Sequence, residues 1–295
     1  MIIVQLTGGL GNQLFQYSMG RALADKSGDK LLLDIRSYQW DTLRRYDLHS
    51  FSIQATIAQL DDIALIQSSK PFLLDRIQRK LLQKEIPYFR NAWIKEPAFS
   101  FDPNFTKYRS TDIYLEGYWQ SEKYFSSIRP QLLKELWVKQ ATFSTYFNEY
   151  KKHIIDAANA IAIHVRRGDY VTNSVTTSFH GLCDLDYYRK AMEMMEQSIS
   201  NPTYFVFSDD KEYVHEIFGA RENVCIIQNL PFDYEELFLM SLCKHNIIAN
   251  SSFSWWGAWL NQYEEKMVIA PKRWFAKEEI QFETGDLIPQ SWIKL

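Results

Sequence analysis

The sequence predicts an α/β protein built from two Rossmann-like domains, each with a parallel sheet. With 295 residues, the chain is long enough for two domains. It opens with a strand, a glycine turn, a helix and a second strand, which is the start of a doubly wound domain. In its second half, short apolar runs alternate with helical segments of about 10–15 residues. Regular alternation resumes near 150–160, so we predict domains at 1–155 and 156–295.

The composition indicates an ordinary globular protein and argues against nucleic-acid binding, a disulfide framework and a zinc site. Apolar residues make up 46% and charged residues 23%, as in ordinary globular chains, and a net charge of −3 offers no basic surface for nucleic acid. The three cysteines (Cys183, Cys225 and Cys243) lack the spacing of a disulfide framework or a zinc site, which favours a reducing compartment. We found neither a signal peptide nor a transmembrane run of about 18 apolar residues. We therefore expect a cytoplasmic protein, and peripheral membrane attachment stays open.

The first element is the β-branched run Ile2–Leu6, which ends in the glycine turn Thr7–Gly11. Apolar residues then recur at helical spacing as far as Gly28, a plausible helix stop, and Lys30–Asp34 reads as the second strand. Glycines at such a turn let a ligand or another backbone approach closely, and the helix start offers N–H groups to an anion.

A nicotinamide dinucleotide site is one hypothesis for this turn, with Asp34 bound to the ribose. The motif fits only in part, because Leu14 occupies the position of its third glycine. A tight turn with a structural role is the alternative. The polar pair Asn12 and Gln13 stands at the helix entrance.

The region from Ser37 to Phe147 is harder to interpret. We predict a helix over 58–82, turns at 96–97 and 102–103, and a helix over 125–147 that is interrupted near Pro130. The segment 114–119 resembles a strand that reaches a cleft. Its Tyr118 and Trp119, together with Trp93, could stack on a sugar, but core packing is the favoured interpretation.

The second half shows regular alternation of strands and helices. Predicted strands cover 161–165, 204–207, 224–227, 246–249 and 267–270, and predicted helices begin at Asp184 or Asp186, after Asp210, at Tyr234 and at Gly257. Three strand ends carry polar groups, in HVRRGD, SDD and NSSFSWW. Because the carboxyl ends of parallel strands share one edge, these groups should converge on a ligand.

Each polar group at these strand ends has two interpretations. Arg166 and Arg167 suit a clamp on phosphate or carboxylate, or else a surface ion pair with Asp169. Ser251 and Ser252 could face a phosphate at a helix start or simply cap that helix.

The acidic groups are equally ambiguous. Asp209 and Asp210 could hold Mg²⁺ or cap a helix, and we favour the cap. Glu235 and Glu236 lie in the first turn of a helix, where the helix dipole stabilises a carboxylate. One of them could instead accept hydrogen bonds from guanine.

Four motifs together resemble the bacterial α-1,2-fucosyltransferases of glycosyltransferase family 11. They are GGLGNQLFQYSMGRALA, HVRRGDY, FVFSDD and LMSLCKHNIIANSSFSWWGAWLN, which occur in the family's order over residues 1 to about 270. The resemblance implies a GT-B-type fold with a cleft between two domains, the first on the acceptor side and the second binding the donor. It also implies an inverting enzyme that needs no metal or other cofactor. Its donor would be GDP-β-L-fucose and its acceptor a terminal β-galactoside, either lactose-like or a lipid-linked glycan, in O-antigen or oligosaccharide biosynthesis near the inner membrane.

The resemblance also implies roles for individual residues. Arg166 would hold the β-phosphate, His164 would lie near the guanine or the diphosphate, and Glu236 would read the guanine. The remaining donor-site residues would be Asn12, Gln13, Arg167, Asp209, Ser251, Ser252 and Phe253. Asn12 and Gln13 would reach the donor from the first domain.

The general base is not fixed by the resemblance. Related enzymes have a glutamate ten residues after the motif histidine, where this chain has Ser174. We favour Asp169, with His180 and Asp186 as alternatives. A fourth alternative is that the leaving diphosphate accepts the proton.

Two other classes of function compete with this interpretation. A nucleotide-binding oxidoreductase is disfavoured by Leu14. A noncatalytic carbohydrate-binding protein would suit the many aromatic residues but would not explain paired arginines at a strand end.

Overall fold

The computed structural model describes residues 1–68, 87–108, 112–138, 143–168, 181–276 and 284–295. The chain folds as two compact units, Met1–Gln140 and Ala141–Leu295. Each unit contains one sheet in which every strand pair is parallel. The predicted α/β class with two parallel sheets is confirmed.

The sheet of the first unit has the strand order β3-β2-β1-β5-β4. Its strands are β1 (Ile2–Gln5), β2 (Leu31–Asp34), β3 (Thr56–Ile57), β4 (Trp93–Lys95) and β5 (Ile113–Glu116). Its described α-helices are α1 (Leu10–Ser27), α2 (Leu60–Gln67) and α3 (Arg129–Glu135).

The opening strand, turn and helix form as predicted. Gly28 ends α1 in the left-handed conformation, with φ of 71°. A Cβ at Gly20 would overlap Val4, so this glycine lets α1 pack closely on β1. Leu14 is completely buried in the core, so the position of the third dinucleotide glycine is a packing position here.

The middle of the chain departs from the prediction. Only 60–67 of the predicted helix 58–82 lies in α2, and residues 69–82 lie outside the described part of the chain. The helix predicted over 125–147, with an interruption near Pro130, is confirmed only in part: α3 covers Arg129–Glu135, and Pro130 lies in its first turn instead of interrupting it. A proline there lacks only an N–H group that the helix would not use, so it helps to begin the helix. Residues 139–142 lie outside the described part of the chain.

The sheet of the second unit has the strand order β11-β10-β9-β6-β7-β8. Its strands are β6 (Asn159–Val165), β7 (Pro202–Ser208), β8 (Val224–Ile226), β9 (His245–Ile247), β10 (Val268–Ala270) and β11 (Ile293–Lys294). Its described helices are α4 (Thr145–Asp156), α5 (Leu185–Ser198), α6 (Lys211–Phe218), α7 (Asp233–Leu242) and α8 (Ser252–Leu260). The five predicted strands are confirmed, and the short edge strand β11 was not predicted.

Each sheet contains a point where the direction of the strand order reverses. In the second sheet this point lies between β6 and β9, and in the first sheet it lies between β1 and β5. Ligands of open α/β sheets bind beyond the carboxyl ends of the strands at such points. The residues RRG of the HVRRG motif follow β6, the NSS segment follows β9, and the glycine turn follows β1, so all three stand at switch points.

Among the residues that the structure describes, no helix is both long enough and apolar enough to cross a membrane.

Candidate functional site

The centre of the candidate site is an ion pair between Arg166 and Asp209. The Arg166 Nη1 atom lies 2.9 Å from Asp209 Oδ2, and both side chains are largely shielded from solvent. The pairing of β6 with β7 aligns Val165 with Ser208, so the residues that follow these two are neighbours by register. The strand ends therefore converge here as predicted.

Backbone N–H groups also hold Asp209. The N–H of Arg167 donates to Asp209 Oδ1 at 2.8 Å, and a Cβ at Gly168 would lie 2.5 Å from Asp209 Oδ2. Burial opposes ionisation of this carboxyl, but the Arg166 charge and the N–H groups of Arg167 and Gly168 outweigh it and lower its pKa. Asp209 is therefore an ionised partner that orients Arg166.

Arg167 is held on the other side of the loop. Its Nε atom donates to Asp210 Oδ2 at 3.1 Å, and its guanidinium lies over the Tyr213 ring at 3.7 Å from the centroid. Asp210 also accepts the N–H of Tyr213 and caps α6, which confirms the capping interpretation for this residue. The two adjacent arginines thus have different partners, so they are not equivalent.

His164 is the last-but-one residue of β6, and it is almost completely buried. Its ring lies 5.9 Å from that of Phe253 on α8, and its Nδ1 atom has no hydrogen-bond partner among the described residues. Burial lowers its pKa; Asp209 works against this effect, and Arg166 and Lys211 reinforce it. The imidazole is therefore neutral at physiological pH.

The NSS segment connects β9 to α8. Asn250 is buried, and its amide donates to the carbonyl of Trp274 at 3.1 Å. The Ser251 hydroxyl accepts the N–H of Phe253 and caps α8, while Ser252 and Phe253 are partly exposed in the first turn. Capping by Ser251 is therefore observed, and contact of these residues with a phosphate stays a prediction.

The two neighbouring glutamates of α7 point to different surroundings. Glu235 is completely buried and accepts hydrogen bonds from the N–H and the hydroxyl of Ser144, at 2.7 and 2.8 Å. Glu236 is partly exposed, and its Oε1 atom lies 3.4 Å from Lys211 Nζ. Burial raises the pKa of Glu236, and Lys211 opposes the rise. Glu235 therefore stabilises the N-terminus of α4 through Ser144. Of the two glutamates, Glu236 is the one that could contact the guanine of a nucleotide.

Asn12 and Gln13 belong to the first unit, where both have partners. Asn12 Oδ1 accepts from Gln120 Nε2 at 2.8 Å. Gln13 is completely buried; its amide donates to the carbonyls of Gly8 and Arg45 and accepts the N–H of Asp47. A part for Gln13 in donor binding would therefore act through the loop that it holds.

Asp34 is not available to a ribose. Its carboxylate is buried, accepts hydrogen bonds from the Nε and Nη2 atoms of Arg36, and accepts the Tyr114 hydroxyl at 2.7 Å. This arrangement removes the residue on which the nicotinamide hypothesis depended.

Of the residues considered as general base, only Asp186 is described. It lies in the first turn of α5, where Lys190 and Arg189 lower its pKa. Asp169, His180 and Ser174 lie outside the described residues. The prediction for Asp169 therefore stays a prediction.

Two contacts of the site were missed by the sequence reasoning, those of Lys211 and Tyr213. Both lie in the first turn of α6, directly after the SDD motif, and a search of the turn after each polar strand end would have found them. In the described part of the chain, no cluster of three or more His, Cys, Asp or Glu side chains is arranged to hold a metal ion.

Comparison with known sequences places the chain in a family. The model of glycosyl transferase family 11 matches residues 1–295. The chain is 34% identical to the Escherichia coli O-antigen biosynthesis glycosyltransferase WbnK, over 98% of this chain and 99% of that protein. It is 30% identical to an Escherichia coli alpha-1,2-colitosyltransferase, over 100% and 99% of the two chains. The galactoside 2-alpha-L-fucosyltransferase Sec1 of Mus musculus is 23% identical over 88% of this chain and 64% of that protein.

Solved structures bear on the fold. The fucosyltransferase NodZ from Bradyrhizobium matches with a TM-score of 0.50 and 12% identity, over 87% of this chain and 91% of that one. Arabidopsis thaliana FUT1 matches with a TM-score of 0.52 and 12% identity, over 90% of this chain and 69% of that one. Both neighbours are GT-B-type fucosyltransferases. The protein is therefore a glycosyltransferase with a GT-B-type α/β fold, and it belongs to glycosyl transferase family 11.

Proposed function

We propose that the protein transfers L-fucose from GDP-β-L-fucose to the 2-hydroxyl of a terminal β-galactoside, with inversion and without a metal ion. The observation that carries the proposal is Arg166, held by Asp209 at the switch point of the second sheet. The relatives support the linkage, because they include an alpha-1,2-colitosyltransferase of Escherichia coli and a galactoside 2-alpha-L-fucosyltransferase of Mus musculus.

In this proposal the galactoside 2-hydroxyl attacks C1 of fucose from the face opposite GDP. The C1–O bond to the β-phosphate breaks, the new C1–O bond forms, and the anomeric centre inverts to α. Negative charge grows on the departing diphosphate. Arg166 and the N-terminal turn of α8 would stabilise that charge, which is the part a metal ion plays in other enzymes.

Asp209 would contribute by fixing the direction of the Arg166 side chain. A charged donor that is already oriented needs no reorganisation when the transition state forms. Glu236 would accept hydrogen bonds from the N1–H and N2–H₂ groups of guanine, with Lys211 beside it.

The acceptor proton has two routes in this proposal. A carboxylate within hydrogen-bond reach of the 2-hydroxyl would take it, with Asp169 as the preferred residue. The alternative is transfer to the leaving diphosphate. Asp186 is disfavoured, because Lys190 and Arg189 stabilise its charged form and so make it a weaker base.

The test is release of GDP from GDP-fucose by the purified protein in EDTA, with and without lactose. Release that depends on lactose supports a transferase that needs no metal, and analysis of the product establishes the linkage. Activity that returns only with Mg²⁺ would contradict metal independence. If N-acetyllactosamine and lacto-N-biose also fail as acceptors with and without Mg²⁺, the proposed transfer to galactosides is wrong.

Colitose is a second candidate for the transferred sugar, since a relative with 30% identity over the whole chain is an alpha-1,2-colitosyltransferase. Colitose is L-fucose without its 3-hydroxyl. A site that hydrogen-bonds this hydroxyl rejects the deoxy sugar by about 10⁴-fold or more, whereas a site that does not will discriminate little. The ratio of kcat/KM for GDP-fucose and GDP-colitose therefore decides between the two donors.

A further inference from the structure

The turn after β5 has an unusual backbone that exposes one tyrosine. Trp119 has a positive φ of 57°, although it is bulky and completely buried, and its indole N–H has no hydrogen-bond partner among the described residues. A non-glycine residue with a left-handed backbone conformation is strained, and the conformation persists only where its surroundings enforce it. The residue directly before it, Tyr118, is 43% exposed.

Glu96 enforces this conformation. Its Oε2 atom accepts the N–H of Tyr118 at 2.7 Å, and its Oε1 atom accepts the N–H of Trp119 at 3.0 Å. A Cβ at Gly117 would overlap the Glu96 side chain, so only glycine permits this approach. One carboxylate thus fixes two successive backbone groups.

The turn stands at the switch point of the first sheet, beyond β5 and next to the loop after β1. Gln120 continues the turn and donates to Asn12 in that loop at 2.8 Å. Tyr38 also reaches the loop, donating its hydroxyl to the carbonyl of Gly8 at 3.0 Å.

We propose that Tyr118 is the stacking platform for the acceptor galactoside, held in place by Glu96. The inference rests on the proposed function and names a subsite for its acceptor. A β-galactoside has one face rich in C–H groups, which packs on an aromatic ring, and hydroxyls that can bond to a phenol. Tyr118 is exposed as a residue, and among the described residues none hydrogen-bonds to its hydroxyl, so this hydroxyl has bonding capacity left for a ligand.

Other aromatic residues in the same segment do not meet this requirement. Trp119 is completely buried, and Trp93 stacks on Tyr114 with ring centroids 3.8 Å apart. The earlier expectation of core packing is therefore confirmed for these two tryptophans and not for Tyr118.

The test combines kinetics with direct detection of the sugar. Wild type, Y118A, Y118F and Y118W are compared for the KM of lactose, the KM of GDP-fucose and the acceptor-independent hydrolysis of GDP-fucose. Saturation-transfer NMR with lactose in the presence of GDP measures acceptor contact without turnover. Y146A is the matched control, because Tyr146 is 46% exposed on α4 of the other unit.

We expect Y118A to raise the KM of lactose about tenfold, equivalent to about 1.4 kcal/mol. The KM of GDP-fucose and the hydrolysis rate should stay within about twofold. Y118F and Y118W should keep most of the affinity and of the NMR signal, and Y146A should match wild type. E96Q should resemble Y118A in the KM of lactose, because a glutamine has one acceptor oxygen for two N–H groups.

An unchanged KM and NMR signal for lactose in Y118A would overturn the proposal. Equal losses for donor and acceptor would also overturn it, since Tyr118 would then not be specific to the acceptor. A wild-type protein that binds GDP but gives no signal with lactose, N-acetyllactosamine or lacto-N-biose would do the same. Failure of the proposed function is distinguished by the donor: it would show as a wild-type protein that neither binds nor hydrolyses GDP-fucose.

Discussion

Replacing Arg166 by lysine separates the shape of the guanidinium from its charge. Arg166 donates from Nη1 to Asp209 at 2.9 Å, and the proposed mechanism requires the same side chain to contact the β-phosphate. A guanidinium can do both because its N–H groups point in fixed, divergent directions. A single ammonium on a flexible stem keeps the charge but cannot hold both partners in that geometry.

The expected losses follow from these contacts. R166A removes a charged donor to the departing phosphate, for which about 2.7–4 kcal/mol or 10²–10³ in kcat is typical. It also removes the main charge that lowers the pKa of Asp209, leaving that carboxylate in a mostly buried place near the diphosphate. We therefore expect about a 10³-fold loss for R166A and about a 10²-fold loss for R166K.

The assay is kcat/KM for GDP release from GDP-fucose with saturating acceptor, together with thermal unfolding to show that the variants remain folded. R221K is the control. Arg221 also forms an ion pair, with Glu196 at an N–O distance of 2.7 Å, but this pair does not belong to the candidate site. R166K activity within about threefold of wild type would refute the reasoning, since charge alone would then suffice.

Three further predictions concern the second unit. E236Q should weaken GDP binding by about 1–3 kcal/mol and improve binding of xanthosine diphosphate, measured by calorimetry, because an amide can donate to the extra carbonyl of xanthine. E235Q should lower stability by about 1–3 kcal/mol, seen as a lower Tm, since it disturbs two hydrogen bonds from Ser144 to a completely buried carboxylate. Normal kinetics at low temperature should accompany the loss, and an unchanged Tm would contradict the prediction. Burial lowers the pKa of His164 in the folded protein. Below pH 6.5, about the usual pKa of a histidine, the unfolded chain therefore binds more protons than the folded protein. Unfolding free energy should therefore fall by about 2 kcal/mol between pH 6.5 and 5, and urea titrations of H164N should lack this contribution.

The candidate site was predictable where it depends on parallel pairing. Once β6 and β7 are neighbours in register, Arg166 and Asp209 must lie side by side, and the polar residues at each strand end mark the edge. Alternation of apolar runs and helices is enough to recognise such a sheet, because each buried strand and each helix leaves its own periodicity.

Other features depend on contacts that periodicity does not encode. Glu235 and Glu236 are adjacent and equally acidic, and only the position of Ser144 decides which one is buried. In the first unit, β3 has two residues and β4 has three, so neither is long enough to show alternation. The strained turn at Trp119 could not be predicted for a related reason. Glu96, which holds this turn, directly follows β4, the strand beside β5, and is distant from Trp119 in the sequence.

The strand order also has a consequence for how the chain is made. In each sheet a central strand is the first to be synthesised. Strand β1 pairs with β2 and with β5, which comes much later in the chain. Likewise, Ile161 of β6 pairs with His245 of β9, which is synthesised more than 80 residues later. Until the later partner emerges from the ribosome, one edge of a largely apolar strand stays open to pairing with another chain. Contacts between such distant segments also form slowly. We therefore expect some aggregation during synthesis, and low temperature with chaperone co-expression should raise the soluble yield.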